Sequence, residues 1–166
     1  MDLSLLILEA VKFIFPAYCA NAIPVIVGGG RPIDFGKSFI DGRPIFGSHK
    51  TLRGFFSGLL VGTLAGLAMT VVLGYPLFFG LVSSLGALLG DLCGAFVKRR
   101  LGIPPGGLLP VIDQIDFVAG AILVSLPFVS QILSWPLALT VLIITPPIHL
   151  LTNYVAYKLH LKSNPW

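Results

Sequence analysis

Five apolar runs, at residues 3–27, 55–73, 77–97, 117–133 and 136–157, constrain this chain more than any other feature. Each has the length a helix needs to cross the hydrocarbon core of a bilayer, roughly 17–25 residues. Only 11% of the residues are charged and 55% are hydrophobic. A soluble domain carries about 25% charged residues, so most side chains here are solvated by lipid. No alternating apolar and polar pattern of the kind a β-barrel strand requires is present. The expected fold is an all-α integral membrane protein of five transmembrane helices. One transmembrane catalytic domain is expected over residues 1–166, with loops at about 28–54 and 98–116.

The cations orient these helices. Arg31, Lys37, Arg43, Lys50 and Arg53 fall in the first long loop, Lys98, Arg99 and Arg100 in the second, and Lys158 and Lys162 after the last run. With five spans all of these lie on one side, which the positive-inside rule makes cytoplasmic. The expected topology has the N-terminus outside, the C-terminus cytoplasmic and the site on the cytoplasmic face of the cell membrane. The remaining cation, Lys12, stands three residues after Glu9 and can pair with it along the helix. The opposite connections are short, at Gly74-Tyr75-Pro76 and Ser134-Trp135-Pro136. The N-terminus lacks a basic segment and carries Asp2 and Glu9, so it does not read as a signal peptide. Cys19 and Cys93 fall within helices and read as packing residues without a disulfide.

Small residues recur every fourth position at Gly54, Gly58, Gly62 and Gly66, at Gly80 and Ser84, and at Gly86, Gly90 and Gly94. Such stripes let helix backbones approach closely. They predict a tight antiparallel pairing of the second and third helices. No internal repeat supports an inverted-repeat transporter.

The chemistry concentrates in the second half. Asp91 lies near the end of an apolar helix, two turns before Lys98, so the two share a face. A carboxylate in that position is costly in lipid and is functional by default, the structural alternative being an Asp91–Lys98 pair. Asp113 and Asp116 also share a face. Alone they read equally well as a helix start, with Asp113 as N-cap. Together with Asp91 across a short loop they can converge as hard oxygen ligands, which suit Mg²⁺ and substrate phosphates. The loop from Gly28 to Arg53 adds Asp34, Asp41, His49 and many glycines to its cations, more than a topology signal needs. Neither a P-loop nor a Rossmann fingerprint fits it, because Arg31 and Ile33 occupy required glycine positions. Asn21, before Pro24, either satisfies freed backbone or reaches a ligand. Thr145, His149, Thr152 and Asn153 form a polar stripe expected to bond between helices.

The segment GDL…VKRRLGIPPGG…DQIDF resembles the signature of the phosphatidate cytidylyltransferase superfamily. Gln114 stands where the bacterial and eukaryotic lipid enzymes usually have arginine, and the DQ-x-D form is the archaeal one. NAIPVIVGGGRPID and DGRPIFGSHKTLRG resemble the archaeal CDP-archaeol synthases, so the likeness covers essentially the whole chain. The resemblance implies transfer of a cytidylyl group from CTP to an isoprenoid ether lipid phosphate among membrane lipids, with Mg²⁺ as cofactor and no nucleic acid partner. It implies nothing about oligomeric state. On that basis Asp91, Asp113 and Asp116 are expected as catalytic metal ligands. Lys98, Arg99 and Arg100 are expected on CTP phosphates, Lys98 with a catalytic role. Lys37, His49, Lys50, Thr51 and Arg53 are expected to complete a phosphate cage or take the lipid headgroup. Asn21 and Asp34 are expected at the base or ribose. The rivals are a small anion or phosphate-ester transporter, for which the outer half offers only Glu9 and Lys12, and a non-catalytic lipid-binding subunit, which does not account for three aspartates.

Overall fold

The computed structural model describes residues 2–165; Met1 and Trp166, which the one-domain expectation includes, lie outside them. Five helices follow in order: α1 (Leu3–Val27), α2 (Leu52–Leu73), α3 (Phe79–Arg100), α4 (Ile112–Val129) and α5 (Trp135–Lys158). All five are long and apolar enough to span a membrane. The β component among the described residues is two isolated bridges, Pro32 with Thr51 and Ser38 with Pro44.

The helix ends follow local chemistry. The Thr51 hydroxyl accepts the Gly54 N–H at 3.1 Å and caps α2, which therefore starts three residues earlier than expected. Gly74, at φ 73°, ends α2 in the left-handed conformation that glycine adopts without strain. Ser134 caps α5, with Pro136 in its first turn. The expected second loop, 98–116, is a correction. Lys98, Arg99 and Arg100 form the last turn of α3, where cations complement the helix dipole. Asp113 and Asp116 lie inside α4, whose cap position is Val111 rather than Asp113. The connection shrinks to residues 101–111.

α3 is the central element: 56% of its most apolar window is buried, against 17% for α2. Phe13 and Ile14 of α1, Phe79 of α3, Phe117 and Val118 of α4 and Val141 of α5 form the apolar core. Outward-facing side chains such as Leu60, Val71, Leu123 and Ile143 stay exposed, as a lipid-facing surface requires. The expected α2–α3 pairing is partly realised. Gly66 and Gly80 meet backbone to backbone, whereas a Cβ on Gly58 would stand 2.5 Å from the Ala20 carbonyl oxygen of α1. The closest approach of α3 along its other flank is to α4, through Gly86, Gly90 and Gly120. Lys12 pairs with Glu9 as its spacing predicts, and both cysteines are free. The alternation of the helices brings loops 28–51 and 101–111 and the tail after Lys158 to one end of the bundle.

Candidate active site

Loop 28–51 is long but tightly tied. Asp34 is buried and accepts the backbone N–H groups of Gly36, Phe46 and Gly47 at 3.0, 2.9 and 2.9 Å. Burial works against its charge, but these donors outweigh it and hold the carboxyl below its ordinary pKa. Asp34 thus staples the loop across thirteen residues. Arg43 donates to the carbonyl oxygens of Arg99 and Arg100, satisfying helix-end acceptors that α3 cannot satisfy itself. Arg100 answers by pairing with Asp41, donating to the Arg43 and Pro44 carbonyls and lying over the Phe39 and Phe96 rings. This places Arg100 as a loop clamp. Arg99 is buried beneath Gly47 and donates to the Pro104 carbonyl at 3.2 Å, clamping the other loop. Its Nε and Nη1 have no protein partner.

The carboxylates and lysines pair across elements rather than along α3. Lys50 places its Nζ 2.6 and 2.7 Å from the two oxygens of Asp91. Lys98 donates to Asp113 Oδ2 at 2.9 Å and to the Gly107 carbonyl at 3.1 Å. The Asp91–Lys98 pair weighed as the structural alternative does not form. Asp113 Oδ2 also accepts the Leu109 N–H at 3.0 Å, while its Oδ1 is buried without a partner. Asp116 Oδ1 accepts the Phe117 N–H at 2.6 Å, and its other oxygen rests in the space left by the missing side chain of Gly94. Asp91, Asp113 and Lys50 are among the charges acting on Asp116, so the three aspartates share one electrostatic neighbourhood. Among the described residues no three carboxylate, histidine or cysteine side chains converge closely enough to enclose a metal ion by themselves.

The remaining expected residues divide. His49, Lys50 and Thr51 line a cleft with Asp91, whose other wall is apolar and includes Pro24, Phe55 and Leu88. Within it Thr51 is already committed as the α2 cap. Lys37 and Arg53 are exposed, and Asn21 is half-buried on α1. Of the α5 stripe, Thr145 bonds to Tyr18 of α1 at 2.9 Å, the expected link between helices, whereas Thr152 donates to the His149 carbonyl of its own helix. Sequence reasoning missed two contributors. Gly94 was legible only as packing. Asn153 carries, from α5, the tail residue Lys162 on its Oδ1 at 3.0 Å.

A five-helix bundle with carboxylates and lysines gathered at one end defines a polytopic membrane enzyme. The family described as CarS-like, CDP-archaeol synthase, matches residues 3–166. The CDP-archaeol synthase of Pyrococcus furiosus is 47% identical, covering 96% of this chain and 98% of its own length. That of Methanococcus aeolicus is 40% identical with 100% of both chains covered, and that of Archaeoglobus fulgidus 42% identical over 97% and 98%. The fold is also similar to a solved intramembrane enzyme for archaeal membrane lipid biosynthesis, with TM-score 0.82 and 39% identity over 89% of this chain and 94% of that one. This chain belongs to the CDP-archaeol synthase family.

Proposed function

We propose that the chain transfers a cytidylyl group from CTP to the phosphate of an unsaturated archaetidic acid, 2,3-bis-O-geranylgeranylglycerol 1-phosphate, giving a CDP-activated lipid and pyrophosphate. The observation that carries the reading is the full-length family match to synthases of CDP-archaeol. The paired carboxylates and lysines supply the chemistry such a transfer needs. The cationic loops support a site on the cytoplasmic face, by the positive-inside rule, where CTP is available.

The nucleophile is a lipid phosphate oxygen, already anionic near neutral pH. It attacks the α-phosphorus of CTP, and the bond to the bridging oxygen of pyrophosphate breaks. No protein nucleophile or general base is needed, so the protein contributes positioning and charge neutralisation. The hard oxygen donors of Asp91, Asp113 and Asp116, with Asp113 Oδ1 orphaned, fit Mg²⁺. Mg²⁺ is commonly held by one or two carboxylates plus substrate phosphates, so a closed protein cage is not required. When bound, it would neutralise phosphate charge. Lys50 and Lys98 pair with Asp91 and Asp113 and supply ammonium groups for phosphate oxygens. The two unpartnered nitrogens of Arg99 are further donors at the junction of the two loops. The cleft beside Asp91 pairs an apolar wall with His49 and Lys50, matching a phosphate headgroup on isoprenoid chains.

The test is purified protein in lipid with labelled CTP and a diether phosphate. CDP-lipid and pyrophosphate should appear in equal amounts, and only with the acceptor present. Nucleotide hydrolysis without acceptor would replace this reading by a nucleotidase. Liposome flux without nucleotide turnover would revive the transporter.

A further inference from the structure

The seven described residues that follow α5, 159–165, fold back rather than continue away. The Leu161 N–H bonds to the Ala156 carbonyl at 2.9 Å, and the His160 N–H to that of Tyr157 at 3.0 Å. His160 takes the left-handed conformation at φ 58°. This is the Schellman-type helix ending, and it reverses the chain. Asn164 then lies beside Gly106 of the 101–111 connection, where His49 also reaches: a Cβ built on Gly106 would be 3.4 Å from His49 Cε1 and 3.9 Å from Asn164 Nδ2. Between these points Lys162 turns inward, with its Nζ on Asn153 Oδ1. Asn153 is buried and is braced in turn by His149 one turn earlier, amide nitrogen to Nδ1 at 3.1 Å. Burial, followed by the nearby Lys50 and Lys98, lowers the Lys162 pKa against the pull of Asp113 and Asp91. The tail lysine therefore lies within the electrostatic reach of Lys50, Lys98, Asp113 and Asp91.

We infer that Lys162 is a third lysine of the substrate-phosphate cradle, delivered by the C-terminal tail and positioned by Asn153, and that the tail straps the 101–111 connection over the site. Lys50 and Lys98, each beside an aspartate, form the cationic side of the site, and Lys162 adds a third ammonium group to the same electrostatic neighbourhood. A phosphate group is the ligand that such a set recognises. The inference rests on the cytidylyl-transfer reading for the identity of that phosphate, which belongs either to CTP or to the lipid.

The experiment separates the two sources and the two readings. Pyrophosphate and a short-chain diether phosphate are titrated separately, each with Mg²⁺, into the wild-type protein and Lys162→Met. CTP and lipid Michaelis constants are measured in parallel. Lys162→Met should weaken one of the two ligands by about ten- to a hundredfold, the scale of a charged hydrogen bond, and raise the matching KM. Lys162→Arg should recover part of the loss. Asn153→Leu should raise the same KM by a smaller factor with kcat nearly unchanged, as a positioning residue would. Thermal melting of each variant shows that it remains folded. Unchanged affinity for both ligands in folded Lys162→Met overturns the inference whether or not the protein turns over CTP. Absence of cytidylyl transfer by the wild type overturns the functional reading alone.

Discussion

The two flanks of α3 carry small residues at the same spacing, yet they meet their partners differently. Toward α2, Gly80 meets the Gly66 backbone, and Ser84 stands against Gly62. That contact is made of backbone and small side chains and carries no ionisable group. Toward α4, Gly86 lies against the Gly120 backbone and Gly90 against the Asp116 carbonyl, but at Gly94 the neighbour becomes the Asp116 carboxylate itself. The same device closes a helix pair on one flank and makes room for a charged group on the other. A glycine stripe thus serves function when the chain opposite brings a carboxylate into the space it leaves.

The largest effect should fall on the charged flank without touching the seam. Asp91→Asn should lower cytidylyl transfer by about a thousandfold, as loss of a main electrostatic group does, with an unchanged melting temperature. Near-normal turnover would remove Asp91 from the site and break the contrast between flanks. Gly94→Ala comes next. A Cβ there would collide with Asp116 Oδ2, so it displaces the carboxylate end of a side chain rather than a backbone, and activity should drop about tenfold or more with less effect on stability than a backbone clash has. Gly80→Val should do the reverse. Its Cβ would stand 2.5 Å from the Gly66 Cα and 2.9 Å from the Thr63 carbonyl oxygen, so backbones must part. Overpacking of this kind costs about 1–3 kcal/mol, read as a lower melting temperature with activity per folded molecule retained. Activity loss in Gly80→Val equal to that in Gly94→Ala would show that the two seams act as one.

Smaller effects test the frame that holds the charged flank. Thr51→Ala removes the α2 cap and should cost about 1 kcal/mol in stability, measured by thermal melting. Asp34 has its native pKa below the ordinary carboxylate value of 3.8. Its stabilisation of loop 28–51 is therefore present above that value and is lost as pH falls through the lower native one. Pepsin cleavage within the loop should rise only in that acid range, and Asp34→Ala should be cut readily before it is reached.

Much of this architecture could be read along the chain. Run length and apolar content predict all five helices, and α1 has the expected limits, 3–27. The ends near the site moved because their residues find partners elsewhere in the chain. α3 extends to Arg100 because Arg43, more than fifty residues earlier, caps its last carbonyls. α4 starts at Ile112 because Asp113 ties back to Leu109 and to Lys98. The three aspartates were legible as a group through their spacing and the apolar context of Asp91. Their lysine partners were not. A seven-residue spacing shows that Asp91 and Lys98 share a face, but not that Lys50 and Asp113 arrive to claim them. Asp34, Thr51 and Arg100 were legible as polar residues in a cationic loop, and only the folded loop shows them engaged in holding it.

By itself, then, the sequence determined the number of spans, the end of the bundle that collects the cations and which carboxylates are candidates for the chemistry. Each of these follows from short-range quantities: apolar run length, helical periodicity and the cost of a charge in lipid. The tertiary structure decided which lysine meets which aspartate, which glycine leaves space for a carboxylate and that the tail returns Lys162 to Asn153 of α5. Those outcomes depend on the approach of segments far apart in the chain, where an ångström of separation decides whether two charges touch, and no local spacing records it.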